Sequence, residues 1–107
     1  MTAAPDNTDK LIRIVKMTFD PSRVKDFQKM FDQVKDRIRG FEGCSFLELY
    51  QDRDEPSIFF TYSYWEDEQA LDRYRHSELF KEVWSQTKKG FREKPLAWSV
   101  TKRVSCP

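Results

Sequence analysis

Tyr74, Arg75 and His76 place a phenol, a guanidinium and an imidazole on three successive residues of a 107-residue chain. The three groups suit one kind of chemistry. An imidazole accepts a proton near neutral pH, a phenol donates a hydrogen bond to a substrate oxygen, and a guanidinium stabilises an oxyanion. His76 is the only histidine and therefore the natural general base. A tyrosine ionises only near pH ~10, so Tyr74 is better suited to hydrogen bonding than to taking a proton. Each residue also has a plain structural reading. Tyr74 can pack on a sheet with its hydroxyl satisfied, His76 can face solvent or serve the start of the next helix, and Arg75 can be an ordinary exposed arginine.

Around the three lies an aromatic run, IFFTYSYWEDEQALDRYRHSELFKEVW, from Ile58 to Trp84. Trp65, Phe80 and Trp84 can wall a flat apolar pocket, although aromatic residues at helical spacing are more often core. Trp65, at a strand-to-helix junction, reads as structural. Such a pocket has its own chemical logic. An electron-rich phenolate or enolate can itself reduce oxygen, so a protein need only bind it, favour its deprotonation and shield it from water.

Metal and redox chemistry have no motif to rest on. Cys44 and Cys106 sit in different elements without CxxC spacing or a nearby histidine pair, and read as a buried small hydrophobe and a tail thiol rather than a disulfide. Nineteen Lys and Arg stand against 18 Asp and Glu, interspersed along the chain, which does not suit a nucleic-acid binder. The nearest to a basic run, Lys88, Lys89, Arg92 and Lys94, reads as a solvated helix end. No apolar segment approaches the roughly 20 residues that span a bilayer, and the segment after Met1 lacks the pattern of a secretory signal. A cytoplasmic protein without membrane or nucleic-acid partners is the expectation.

The elements that must position these residues follow from periodicity. Residues 1–9 carry small and polar residues and read as a flexible tail, followed by a single domain over 10–105. Leu11, Ile12, Ile14, Val15, Met17 and Phe19 form a β-prone run interrupted by Arg13 and Lys16. Asp20 or Ser22 can cap the next helix, with Pro21 in its first turn. Val24, Phe27, Phe31, Val34 and Ile38 then recur at helical spacing, and that helix stops around Gly40 to Gly43.

Two strands, 44–51 and 57–65, are separated by the turn cluster Asp52 to Pro56 and form a hairpin. Both alternating sets of the second are largely apolar, so helices should cover one face of the sheet and a second sheet the other. Glu66, Asp67 and Glu68 favour the start of a helix carrying Ala70, Leu71 and Tyr74. Ser77 can cap another, with Leu79, Phe80, Val83, Trp84 and Thr87 along one side. Leu96 to Val104 alternates as a last strand. The order is that of an α+β, ferredoxin-like split βαβ sandwich with an antiparallel sheet. A chain this short buries only roughly two-thirds of its unfolded surface, and a partner subunit would cover an exposed sheet face.

In order and spacing, IRIVKMTFDP, the FEGC turn at Phe41 to Cys44, TYSYWEDEQAL and RHSELFKEVW resemble the antibiotic biosynthesis monooxygenase (ABM) domain of the dimeric α/β-barrel superfamily, over Leu11 to Val104. The resemblance implies a homodimer whose sheets close into a barrel, with a small pocket between each sheet and its own helices. It implies a monooxygenase that uses no metal, flavin or haem and oxidises a small aromatic, quinol or polyketide-like compound with molecular oxygen. Tyr74 stands where many members carry a pocket histidine, His76 lies two positions later, and Trp84 is on the helix face used against the ligand. The alternative function is a non-catalytic dimeric module binding a small hydrophobic ligand. The haem-degrading members resemble this chain in length and order, but they use an asparagine, a tryptophan and an iron-ligating histidine where this chain has Val15, Tyr74 and Trp84. None of the three matches, and His76 would have to hold haem in another way.

Overall fold

The structure, a computed structural model, describes residues 10–107; the tail expected over 1–9 lies outside the described residues. Strand β1 (Leu11–Thr18) leads through a 3-10 turn into helix α1 (Val24–Arg39). Asp20 starts this turn, its carboxylate accepting from the Ser22 amide at 2.9 Å, with Pro21 at the first position where no amide is needed. Phe27, Phe31, Val34 and Ile38 are the buried stripe of α1, as their spacing predicts. Strands β2 (Cys44–Gln51) and β3 (Ile58–Trp65) follow, then helices α2 (Glu68–Arg75) and α3 (Glu78–Thr87) and strand β4 (Leu96–Val100).

The sheet is antiparallel throughout its neighbouring pairs, in the order β2-β3-β1-β4. This is the split βαβ arrangement of a ferredoxin-like fold, with β3 inserted between β1 and β2. The register pairs Arg13 with Ser63, Val15 with Thr61 and Met17 with Phe59. One side chain set of each strand therefore faces the helices. Between the layers the core is aromatic: Phe19 stacks on Phe27 at 4.3 Å, Phe27 meets Phe59 edge-on at 5.2 Å, and Trp65 is 1% exposed. Cys44 is a free, buried thiol and Cys106 a free, exposed one.

Two local devices hold the site-bearing end together. Gly43 has φ +92°, a left-handed conformation that disfavours a side chain. A Cβ there would stand 2.5 Å from that of Ala70, so this glycine also lets α2 approach the start of β2. Asp67 caps α2 through the Ala70 amide at 2.8 Å.

The opposite sheet face carries Ile14, Phe46, Tyr50, Phe60, Tyr62, Tyr64, Leu96, Trp98 and Val100, by alternation from the helix-facing set. No helix among the described residues covers it: Leu96 is 50% exposed, Tyr50 46% and Trp98 45%. The last strand ends at Val100 rather than Val104. Val100 pairs with Ile12, next to the first residue of the neighbouring strand β1. No helix among the described residues is long and apolar enough to cross a membrane.

Candidate functional site

The space between sheet and helices is not completely filled. A cavity of about 430 Å³ remains, large enough for a compact aromatic ligand. Its floor is the helix-facing side of the sheet at Val15, Met17, Thr61, Ser63 and Trp65. Phe27 and Phe31 of α1 close the far wall, and Leu71, Tyr74, Phe80, Val83 and Trp84 of α2 and α3 close the near one. Arg75, His76 and Ala97 are its exposed lining residues, so it is reached past the end of α2 and the β4 edge. All six side chains singled out in the sequence, Trp65, Tyr74, Arg75, His76, Phe80 and Trp84, line this one cavity.

The break between α2 and α3 places the titratable groups. Ser77 donates its hydroxyl hydrogen to the Tyr74 carbonyl at 2.6 Å, and the same oxygen accepts from the Phe80 amide at 3.1 Å. One side chain thus ends the first helix and caps the second. His76 is held between them, its Nδ1 2.8 Å from the Asp72 carbonyl oxygen. A carbonyl only accepts, so Nδ1 carries the hydrogen and Nε2 is left as the basic nitrogen. His76 does not cap α3; Ser77 does.

Tyr74 is 9% exposed and stacks on Trp65 at 4.9 Å, with Phe41 and Phe80 edge-on at 5.4 and 5.2 Å. The ring is therefore packed on the sheet. Its hydroxyl has no hydrogen bond to a described residue, yet it is not a sealed, orphaned group, and Tyr74 is one of the residues lining the cavity. Burial, with a smaller push from Cys44, holds its ionisation far above that of an ordinary tyrosine. The phenol stays protonated and can donate. Trp65 donates Nε1–H to Ser63 Oγ at 2.9 Å, which fixes the indole as part of the floor. Phe80 and Trp84 stack at 5.8 Å with planes 10° apart, forming a flat wall.

Three polar lining residues were not foreseen: Arg13, Thr61 and Ser63. Arg13 and Lys16 both interrupt the apolar run of β1 and have opposite parity, so one had to face the helices, but nothing local says which. Arg13 does. It donates from Nη1 to Ser99 Oγ at 2.9 Å, and burial, then the charge of Arg75, hold its guanidinium below its ordinary value. Of the positions aligned with the haem-degrading constellation, Val15 and Trp84 line the cavity and neither can ligate iron.

A four-stranded antiparallel sheet backed by helices over an aromatic pocket is the architecture of a small α+β ligand-pocket protein. The chain belongs to the antibiotic biosynthesis monooxygenase family, whose model matches residues 10–85. No curated protein matches its sequence. Among solved structures it is similar to a conserved protein of Methanosarcina mazei Go1, with 24% identity and a TM-score of 0.83 over 91% of this chain and 97% of that one. An antibiotic biosynthesis monooxygenase is similar at 18% identity, with a TM-score of 0.80 over 91% and 99% of the two chains. A protein of Pseudomonas aeruginosa is similar at 20% identity, with a TM-score of 0.79 over 92% and 99%. At these identities the likeness is one of fold.

Proposed function

We propose that the protein is a cofactor-independent monooxygenase that oxidises a small phenolic or quinol-type aromatic with molecular oxygen, working as a homodimer. The observation that carries this reading is the aromatic cavity of about 430 Å³ with a phenol donor and an imidazole base on one wall. A merely structural core would fill that space. Family membership supports the same class of chemistry.

The substrate ring lies against the Phe80–Trp84 wall and the Trp65 floor. His76 Nε2 takes the phenolic proton, and Tyr74 donates a hydrogen bond to the resulting oxyanion. The phenolate passes electrons to oxygen, and a C–O bond forms at a ring carbon, giving a peroxide that takes up the proton. Loss of that carbon's hydrogen with cleavage of the O–O bond releases water and leaves a carbonyl. For a quinol the sum is quinol plus oxygen to hydroxyquinone plus water, with the substrate as the only reductant. The apolar walls limit escape of the reduced oxygen species into water.

The homodimer accounts for the uncovered sheet face. Its exposed Tyr50, Leu96 and Trp98 would be buried against the same face of a second copy, closing a barrel.

The test is oxygen uptake by chelator-treated protein with a panel of quinols and polyhydroxylated naphthalenes, against a blank for spontaneous oxidation. The reading expects uptake above the blank that falls in Tyr74→Phe and His76→Ala. Saturable binding of the same compounds without uptake would instead make the chain a non-catalytic ligand-binding module.

A further inference from the structure

We infer that Arg13 and Arg75 form a two-arginine clamp at the mouth of the cavity for a carboxylate borne by the aromatic ligand, so that the preferred ligands are aromatic acids rather than neutral phenols. The inference deepens the proposed function and rests on the reading of this cavity as a substrate site.

Four observations carry it. First, Arg13 of β1 and Arg75 of α2 come from opposite layers of the fold and line the same cavity. Second, no Asp or Glu among the described residues lines that cavity, and neither arginine makes an ion pair with a described residue. Arg23, Arg37 and Arg92 each stand beside a carboxylate, whereas Arg39 and Arg73 are unpaired like these two but do not line the cavity. Third, Arg13 is half-buried, and its one acceptor among the described residues is the Ser99 hydroxyl, which leaves most of its five donors for something else. Fourth, Arg75 lies near enough for its charge to act on the Arg13 guanidinium, after burial the second influence that lowers it.

Two like charges facing one partly desolvated space are unfavourable unless an anion enters it. The donor count then selects the anion. A single phenolate oxygen cannot satisfy two forked donors, whereas a carboxylate offers two oxygens in the plane that guanidinium recognises. With the carboxylate at the mouth, the ring extends inward between Trp65, Phe80 and Trp84, and a ring hydroxyl is left for Tyr74 and His76. The positive mouth would also raise the local concentration of anionic ligand.

The test is anaerobic binding, followed by quenching of tryptophan fluorescence, of a hydroxynaphthoate, the matching naphthol and the matching naphthyl phosphate. The clamp expects the carboxylate to bind at least about tenfold more tightly than the naphthol, the scale of charge-assisted hydrogen bonds, with a preference that weakens as salt rises. Arg75→Gln, an exposed change that leaves the core intact, and Arg13→Gln should each remove most of that preference while leaving naphthol affinity within about twofold, as expected when only a charge contact is lost. Equal affinity for acid and naphthol, a preference unchanged in both variants, or tighter binding of the phosphate than of the carboxylate would overturn it. Since no oxygen is present, the two readings fail separately. Acid-selective binding without later oxygen uptake retires the oxygenase and keeps the clamp; uptake with neutral quinols and no acid preference does the reverse.

Discussion

At the scale of single residues, the proposed oxidation assigns a donor and an acceptor to Tyr74 and His76, which sit two positions apart but differ in environment. Tyr74 is buried on Trp65, so its phenol remains neutral, while His76 stands at the helix break with Nε2 unencumbered. His76→Ala is expected to lower the rate of substrate-dependent oxygen uptake by about 10²-fold or more, the usual weight of a general base. Tyr74→Phe should cost about tenfold, that of one hydrogen bond in the transition state.

The raised ionisation of Tyr74 has a separate consequence for stability. At neutral pH the buried phenol is protonated in folded and unfolded chains alike. As pH rises past about 10, the unfolded chain releases this proton and the folded one retains it, so stability falls. Tyr74→Phe should therefore move the alkaline unfolding midpoint, followed by circular dichroism, to higher pH. An unchanged midpoint would mean the ring is more hydrated than its packing indicates. Cys44 behaves in parallel: burial pushes its thiol up, so a thiol reagent should label one cysteine, Cys106, quickly, and Cys44 only on unfolding.

At the scale of elements, the geometry depends on the joint between α2 and α3. The Ser77 hydroxyl binds the Tyr74 carbonyl of one helix and the Phe80 amide of the next, and thereby sets His76 at the cavity mouth. Ser77→Ala should destabilise the protein by about 1 kcal/mol, the ordinary value of an N-cap, measured by urea unfolding, and should raise KM for the aromatic substrate as the joint loosens. Gly43 is the stricter position. Its positive φ and the 2.5 Å approach to Ala70 mean that Gly43→Ala must strain the backbone and push α2 away, at a cost above about 1 kcal/mol. Neither Gly43 nor Ser77 lines the cavity, so their effect on activity measures how firmly the elements hold the pocket.

At the scale of the whole molecule, helices cover one sheet face, and no helix among the described residues covers the other, aromatic one. Sedimentation should give twice the monomer mass, and Trp98→Asp, which sets a charge in the middle of the bare face, should shift the species toward monomer while leaving the helical signal intact. A monomeric parent protein would leave the exposed Leu96 and Trp98 in need of another explanation.

What the sequence determined by itself was the local layer. The three-and-four spacing of Phe27, Phe31, Val34 and Ile38, the alternation from Ile58 to Trp65, and the caps at Asp20 and Ser77 each act within a few residues of their own position, and the elements lie where these signals put them. The aromatic and titratable wall was legible for the same reason, because Tyr74, His76, Phe80 and Trp84 come from one continuous segment. What only the tertiary structure decided was everything that depends on pairing across the chain. Alternation in a strand is unchanged by exchanging its two faces, so Arg13 and Lys16 were equivalent until the register with β3 sent Arg13 inward. The polar floor of Thr61 and Ser63 emerged in the same way. Where β4 ends, with Val100 opposite Ile12, is likewise a matter of pairing across the chain, and the cavity itself is a remainder left after two layers pack, which no stretch of sequence encodes on its own.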